Sequence, residues 1–202
     1  MAKRKNSDQL SDRQSGILDV SVKLFGDKGY RGTSMRDIAE QVGVLPGSLY
    51  AHINSKEDIL AGIVQEGIEG FLKIKETIES LDADPEEKLR EAIKLHLKLV
   101  VSDRERTLVT IHQWRFLTEP NRSRAEELRR DYAQMFIDIL DEGARGNVSN
   151  KTLNKKFNTK IQAFMILGAL NWTTEWYSSD GPDSPEEIGE NLAEIVINGM
   201  GL

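Results

Sequence analysis

Residues 34–50 read SMRDIAEQVGVLPGSLY, and this stretch decides the fold. It begins with a capping-box pattern, in which Ser34 is placed to accept a hydrogen bond from a backbone amide and Asp37 follows three residues later. Gly43 is expected to end the helix after about two turns, and Pro46 stands where a first helical turn tolerates proline. Two short helices joined by a tight turn that contains glycine indicate a helix-turn-helix.

The sequence on both sides of this stretch predicts further helices. Ile17, Val20 and Leu24 recur at helical spacing, and their helix is expected to end near Gly29. The short helix that begins at Pro46 is expected to end at about residue 53. The remaining predicted helices span residues 54–81, 86–101, 103–118, 122–145, 155–179 and 184–199, with a polar loop at 146–154. Because no alternating strand pattern persists, the predicted fold class is all-α.

The composition excludes several classes of protein. With 202 residues, of which 39% are hydrophobic and 30% charged, the chain resembles an ordinary globular protein. It contains no cysteine, which excludes disulfides, thiolate metal sites and cysteine nucleophiles and fits a reducing cytoplasm. The apolar stretches are too short to span a bilayer, and no apolar run follows the charged residues at the start. We therefore expect no membrane span and no secretory signal.

The charge distribution leaves a nucleic-acid partner open. The formal net charge is −6, which by itself disfavours binding to DNA. Residues 1–60, however, carry nine Lys and Arg against eight Asp and Glu, whereas the remainder has a net charge of −7. A protein that is acidic overall can still present a few well-placed cations to phosphates.

The sequence contains no recognisable catalytic arrangement. None of the three histidines has a glutamate three residues upstream, since Leu49, Ile93 and Val109 hold those positions, so the helical di-iron pattern is absent. No phosphate-binding glycine loop, nucleophile elbow or zinc-spaced pair is present. We therefore expect no enzymatic activity, no cofactor and no metal site.

A helix-turn-helix places its second helix in a DNA major groove about 12 Å wide, and Gly47 and Ser48 are small enough to permit close approach. The stretch from about residue 13 to 62 contains a further set of spaced residues: Phe25, Gly29, Tyr30, Thr33, Ile38, Ala39, Gly43, Val44, Gly47, Leu49, Tyr50, His52, Ser55, Lys56, Glu57 and Leu60. On these residues, the stretch resembles the DNA-binding domain of the TetR family of bacterial repressors. Two positions depart from the family pattern: Leu45 replaces a small hydroxyl residue at the helix start, and Ile53 replaces an aromatic residue.

The resemblance implies phosphate contacts from three places. Tyr50 and His52 would provide them from the third helix, and Lys56 from the start of the fourth. Thr33 or Ser34 would provide another at the start of the second helix, where unpaired amides and the helix dipole favour an anion. Without the resemblance, Tyr50 is also compatible with a half-buried core aromatic, and His52 with a solvated surface residue.

The resemblance also implies base contacts from Arg36 and Ser48 and from Tyr50 or Leu45, with Gly47 allowing the backbone close to the groove. Arginine suits guanine because its fork matches two acceptors in the major groove. The alternative for Arg36 is an ion pair with an acidic neighbour on a solvated face.

The domain organisation follows from the resemblance. We expect a flexible N-terminal tail at 1–12, a helix-turn-helix DNA-binding domain at 13–61, and a helical ligand-binding and dimerisation domain at 62–202. In the family, the last two long helices of each subunit form a four-helix dimer interface. Apolar and small residues at helical spacing suit that role here, although they could instead pack within one subunit. They are Ile161, Met165, Gly168, Ala169, Trp172, Leu192, Ile195 and Val196.

The C-terminal body is similar to a subgroup of TetR-like regulators. Residues 112–117 and 170–188 resemble regulators of fatty-acid, aromatic-acid and steroid breakdown, several of which respond to acyl-CoA thioesters. The function implied is a ligand-responsive repressor that binds palindromic double-stranded operator DNA as a homodimer and is released by a small hydrophobic effector, with an acyl-CoA thioester as one candidate. The candidate pocket residues are Leu95, Leu99, Ile111, Trp114, Arg115, Tyr132, Phe136, Phe164 and Trp176.

Alternatives remain at this point. The apolar pocket candidates also fit an ordinary helical core, and the arginines near them fit a solvated surface. A free drug or aromatic acid is the rival effector. A helical small-molecule-binding or interaction protein without DNA binding is the rival function.

Overall fold

The computed structural model describes residues 2–146 and 158–200, and these residues form helices and no strand, which confirms the all-α prediction. A π-helical turn (Val109–Gln113) and a 3-10 turn (Trp114–Phe116) follow the sixth helix. The helices are α1 (Ala2–Gly32), α2 (Met35–Val42), α3 (Pro46–Leu49), α4 (Lys56–Ser80), α5 (Pro85–Ser102), α6 (Arg104–Leu108), α7 (Asn121–Gly146), α8 (Thr159–Trp176) and α9 (Pro185–Met200).

Some helix bounds differ from the prediction. α3 ends at Leu49 instead of about residue 53, and the chain continues to His52 in hydrogen-bonded turns. α1 begins at Ala2, where we expected a flexible tail over residues 1–12; no glycine or proline interrupts residues 2–15. The predicted helix start at 155 and the predicted loop at 146–154, apart from Gly146, lie outside the described residues.

The chain forms two compact units. The first unit comprises the residues up to Ile68 together with Glu105–Ala125, and the second comprises Glu69–Arg104 and the residues from Glu126 onward. Residues 105–125 thus group with the DNA-binding helices, whereas we expected domains at 13–61 and 62–202. The reason is long-range contact: Arg106 pairs with Asp19 of α1 at 2.6 Å and with Glu66 of α4 at 2.5 Å.

In the first unit, α1 contacts α2 and the π-helical turn, and α2 contacts α3. α1 is interrupted at Gly29, where φ is 73° and ψ is 158°, close to the predicted helix end. Burial of apolar side chains supplies the main driving force for this packing. The buried apolar residues include Ile17, Leu18, Val22, Phe25, Ile38, Ala39, Leu49, Ile59, Leu60, Ile63, Val109 and Leu117.

The segment that we expected to be one helix over 103–118 is broken into α6, the π-helical turn and the 3-10 turn. Thr110 explains part of this change: its hydroxyl donates to the carbonyl of Arg106 at 2.8 Å, four residues back. Bonds of this kind compete with the regular helical ladder and bend helices. Gly67 of α4 allows Thr110 to approach closely, since a Cβ at Gly67 would lie 2.0 Å from Thr110 Oγ1.

In the second unit, α5 packs against α8 and α9. Its apolar core includes Ile93, Leu97, Phe136 and Ile166, which are all almost fully buried. At the surface, Arg90 of α5 forms ion pairs with Glu190 and Glu194 of α9. Among the described residues, no helix is long and apolar enough to cross a membrane.

Candidate functional site

The start of α2 is held by a capping box. Ser34 Oγ accepts the Asp37 N–H at 3.1 Å, and the Asp37 carboxylate accepts the Ser34 N–H at 2.7 Å and the Ser34 hydroxyl at 2.6 Å. These hydrogen bonds, led by the one from the Ser34 side chain, lower the pKa of the Asp37 carboxyl. The predicted capping pattern is therefore formed, and Ser34 stays exposed at the helix start.

The turn between α2 and α3 depends on Gly43. Its φ of 79° lies in the left-handed region, and its N–H and that of Val44 bond back to the end of α2. Leu45 then occupies the N-cap of α3 without any side-chain capping bond, as its apolar side chain requires.

The surface that follows is continuously open to solvent. Residues 43–48 are all exposed, and Leu45 is 77% and Tyr50 52% exposed, whereas Leu49 is buried. Arg36 of α2 is exposed as well. Buried residues on either side of the turn, Ile38 and Ala39 in α2 and Leu49 in α3, thus hold an exposed surface in place. We call this surface the reading face and define it as residues 34, 36, 43–48 and 50.

Two residues expected to contact phosphates have structural partners. The Thr33 side chain is buried, and its hydroxyl lies 3.1 Å from the carbonyl of Leu24 and 3.0 Å from that of Gly29. The Thr33 side chain is thus engaged within the fold, whereas that of Ser34 beside it is exposed. The half-buried Lys56 Nζ donates to the carbonyls of Tyr30 at 2.8 Å and Thr33 at 2.6 Å, so it caps the end of α1.

His52 is half-buried beside the reading face. Its carbonyl accepts a hydrogen bond from Gln14 Nε2 at 3.2 Å, which ties the end of the α3 turns to α1. Its ring atom Nδ1 is buried without a hydrogen-bond partner. His52 is therefore anchored through its backbone, a role that the sequence pattern did not reveal.

The sequence also did not reveal which residues of 105–125 contact the DNA-binding helices. The Tyr30 ring stacks on Phe116 at 5.7 Å between centroids, and the Arg31 guanidinium lies 4.8 Å from the centroid of the same ring. Glu57 accepts both the N–H and the hydroxyl of Thr118, which lowers the pKa of the Glu57 carboxyl. Tyr30 and Glu57 both match the family pattern, and that match was the only available signal.

The candidate pocket residues fall into three groups. Leu95, Leu99, Tyr132 and Phe136 belong to the core of the second unit or pack against it. Ile111, Trp114 and Arg115 belong to the first unit. Phe164 and Trp176 are 53% and 50% exposed in the single chain.

Exposed apolar residues line one side of α8 and α9. Ile161, Met165, Trp172 and Ile195 are more than half exposed, and Gly168 and Ala169 lie exposed among the α8 members. Phe164 joins this stripe because it is also exposed and stands three residues after Ile161 and four before Gly168 on α8. Leu192 and Val196 pack partly against the core of their own unit.

A polar cluster inside the second unit was missed. His96 of α5 is 1% exposed, with Nδ1 3.0 Å from the Tyr132 hydroxyl and Nε2 3.3 Å from Asn171 Oδ1. Phe71 packs on both rings. Burial lowers the pKa of His96 to about 4 and raises that of Tyr132, so both are neutral near pH 7. A histidine within the apolar stripe of residues 89–100 was the available signal.

Two family models match the chain. The model of the tetR family of bacterial regulatory proteins matches residues 17–63, and that of the tetracyclin repressor-like C-terminal domain matches residues 82–200. The chain is similar to the HTH-type transcriptional repressor KstR2 of Mycobacterium tuberculosis (strain ATCC 25618 / H37Rv), with 26% identity over 201 residues that cover 95% of this chain and 94% of the relative.

Two further similarities extend over most of the chain. The fatty acid metabolism regulator protein of Bacillus subtilis (strain 168) is 25% identical over 185 residues, which cover 91% of this chain and 93% of the relative. A solved structure of AibR in complex with isovaleryl coenzyme A and operator DNA matches with a TM-score of 0.80 and 25% identity, covering 91% of this chain and 97% of that chain.

Proposed function

The chain belongs to the tetR family of bacterial regulatory proteins, and we propose that it binds a palindromic operator through its reading face and is released by an acyl-CoA thioester. It is a ligand-responsive transcriptional repressor that binds operator DNA as a homodimer, and it is not an enzyme. Because a repressor must meet its operator, we place it in the bacterial cytoplasm.

The exposed run of residues 43–48 is the observation that carries the DNA-binding assignment. In our proposal Ser34, Tyr50 and His52 contact phosphates, and Arg36 and Ser48 reach base edges. Gly47 adds no side chain between the backbone and the groove. Ser34 suits an anion because it stands where the α2 amides are incompletely paired.

The stripe on α8 and α9 supports the dimer interface. Exposed apolar area of this extent is typical of surfaces that are covered in an assembly. Gly168 has no heavy atom within 4 Å of the position that a Cβ would take, which leaves room for a second helix. Two-fold symmetric subunits would present two reading faces to two half-sites, hence the palindromic operator.

The second unit suits an effector with an apolar chain. Leu95, Leu99, Tyr132 and Phe136 would pack against the acyl chain. The amide oxygen of the half-buried Asn171 is hydrogen-bonded to His96. The N–H groups of the same amide are therefore suited to donate to a thioester carbonyl. The isovaleryl coenzyme A bound by AibR is an effector of this chemical class.

Release requires the ligand to prefer a state in which the two recognition helices are wrongly spaced. A difference of about 3 kcal/mol in the affinity of the ligand for the two states would reduce operator affinity more than a hundredfold. The rival effector is a free hydrophobic acid, which needs no donor for a thioester carbonyl.

A fluorescence titration separates these effectors. Trp172 directly follows Asn171 in α8, so tryptophan fluorescence reports ligand binding, and the anisotropy of a labelled operator duplex reports release. We expect an acyl-CoA series to change both signals, and coenzyme A alone and the matching free acids to change neither. Responses to the free acids but to no thioester would contradict the effector assignment.

A matched pair of variants tests the role of Asn171. Asn171→Asp replaces the amide donors with acceptors at nearly constant shape, and we expect it to weaken thioester binding at least about tenfold, the cost of one lost hydrogen bond in a partly buried site. Gln162→Glu makes the same chemical change elsewhere on α8 and is expected to leave thioester binding unchanged. Equal effects of the two variants would remove Asn171 from the site.

A further inference from the structure

The part of the reading face formed by the turn and α3, residues 43–50, lacks the side chains that most often distinguish bases, so Arg36 of α2 is the only such side chain among the residues that define the face. Residues 43–50 read GVLPGSLY and include no Arg, Lys, Asn, Gln, Asp or Glu. Their side-chain hydrogen-bonding groups are the hydroxyls of Ser48 and Tyr50. Hydroxyls discriminate poorly, because serine can bond to several bases. For residues 43–50 to distinguish DNA sequences, they therefore need contacts to the bases other than side-chain hydrogen bonds.

Leu45 is the side chain in this segment whose position has no structural explanation. It is 77% exposed, so it contributes little to the core. It occupies the N-cap of α3 and makes no capping bond, so it does not stabilise the helix start either. Next to it, Val44 is 39% exposed. Both residues expose apolar side chains in the turn between α2 and α3.

We propose that Leu45 recognises thymine in each half-site by packing against its 5-methyl group. The thymine methyl is the one apolar group that a base pair presents in the major groove, and leucine offers apolar atoms without a competing donor or acceptor. The proposal rests on operator binding through the reading face. In this proposal Leu45 recognises thymine and Arg36 recognises guanine.

The expected size of the effect follows from burying one methyl group. Its removal changes affinity about fourfold per half-site, and therefore about fifteenfold when both half-sites of a palindrome are changed. Non-specific binding, which depends on phosphate contacts, is expected to be unaffected.

The experiment uses the full-length protein and an operator selected from random duplexes. Each thymine is replaced in turn by uracil in both half-sites, which removes the methyl group and leaves every hydrogen-bonding group in place. Dissociation constants are measured by anisotropy for the wild type, Leu45→Ala and Arg36→Ala. We expect one thymine position at which uracil weakens wild-type and Arg36→Ala binding about fifteenfold and Leu45→Ala binding less than twofold.

Two controls accompany this comparison. Because Leu45 is exposed, Leu45→Ala should unfold at the same urea concentration as the wild type and bind random DNA equally well. When the sensitive T·A pair is changed to C·G, 5-methylation of the cytosine should restore part of the affinity of the wild type and none of that of Leu45→Ala.

The possible failures are distinguishable. Selection that yields no preferred duplex would contradict both operator binding and the reading of thymine. A selected duplex that tolerates uracil at every position, or whose uracil effect persists in Leu45→Ala, would overturn the role of Leu45 and leave the repressor assignment intact.

Discussion

Lys56 shows how a residue expected at the DNA can belong to the fold. Its ammonium group donates to the carbonyls of Tyr30 and Thr33 and lies 4.4 Å from the centroid of the Tyr30 ring. Spacing in the sequence places Lys56 at the start of a helix. It does not reveal that carbonyls 23 and 26 residues earlier come within hydrogen-bond distance. The same holds for Thr33, whose position in the family pattern did not reveal its burial.

We expect Lys56→Ala to lower the free energy of unfolding by about 1–2 kcal/mol, because hydrogen bonds from a charged donor to two carbonyls are lost at a half-buried site. Urea unfolding and DNA anisotropy at fixed salt measure stability and affinity separately. Lys23→Ala removes the same charge from an exposed site on α1 and should change stability by less than about 0.5 kcal/mol. If Lys56→Ala lost DNA affinity at unchanged stability, Lys56 would be a phosphate contact and would not stabilise the fold.

His96 predicts how stability depends on pH. Its pKa in the folded protein is about 4, against an ordinary value of 6.5. Between these pH values the His96 imidazole is protonated in the unfolded chain and neutral in the folded chain. The free energy of unfolding therefore falls as the pH drops from 6.5 towards 4. The stability lost through this group is about 3 kcal/mol.

Urea unfolding of the wild type and His96→Gln over this pH range measures the contribution of His96. The variant should lose less stability than the wild type as the pH falls, because glutamine does not titrate. The carboxylates contribute equally to both proteins and cancel in the comparison. Parallel pH profiles would show that His96 does not control this dependence.

At the scale of elements, the sequence predicted helices well and their contacts poorly. Helical spacing, caps and glycines are local signals, so most bounds agree with the structure to within a few residues. The break of the segment over 103–118 has a local part, the bond from Thr110 to the carbonyl of Arg106, and a non-local part, because Thr110 also lies against Gly67, 43 positions earlier in the sequence. Periodicity is a local signal, and it predicted the apolar stripe of α8 but not that Trp176 is half exposed.

The contact between α4 and the π-helical turn predicts the effect of filling Gly67. Alanine is normally favoured over glycine within a helix by about 1 kcal/mol. At Gly67, however, the added Cβ would lie 2.0 Å from Thr110 Oγ1 and 2.8 Å from its Cγ2. We therefore expect Gly67→Ala to lower the free energy of unfolding by about 1–3 kcal/mol, as overpacking does.

Gly26→Ala is the matched control, because no heavy atom lies within 4 Å of the Cβ position at Gly26. It should maintain or raise stability in the same urea experiment. Adding Thr110→Ala to Gly67→Ala should restore part of the loss by removing the two nearest side-chain atoms. Stabilisation by Gly67→Ala alone would mean that the close approach does not exist in solution.

At the scale of the whole molecule, the apolar stripe on α8 and α9 predicts a dimer that a single charge can disrupt. Ile195 is 69% exposed in the chain alone, so Ile195→Glu should leave the fold of one subunit intact. In the dimer it would bury an uncompensated carboxylate on each side, which costs several kcal/mol. Sedimentation should then show monomers at micromolar concentration, where the wild type is dimeric.

Ala144→Glu introduces the same carboxylate at an exposed position of α7, outside the stripe, and should remain a dimer. If Ile195→Glu also stayed dimeric, with unchanged operator affinity, the interface would have to lie elsewhere on the subunit.

Binding of the full-length protein to its selected operator tests the central claim most directly. Anisotropy titrations would compare the palindromic duplex with a random duplex of equal length at the same salt concentration. We predict a complex with two protomers per palindrome and an affinity at least about a thousandfold higher than for random DNA. Equal affinity for both duplexes, or binding of one protomer only, would contradict the assignment as a dimeric, operator-specific repressor.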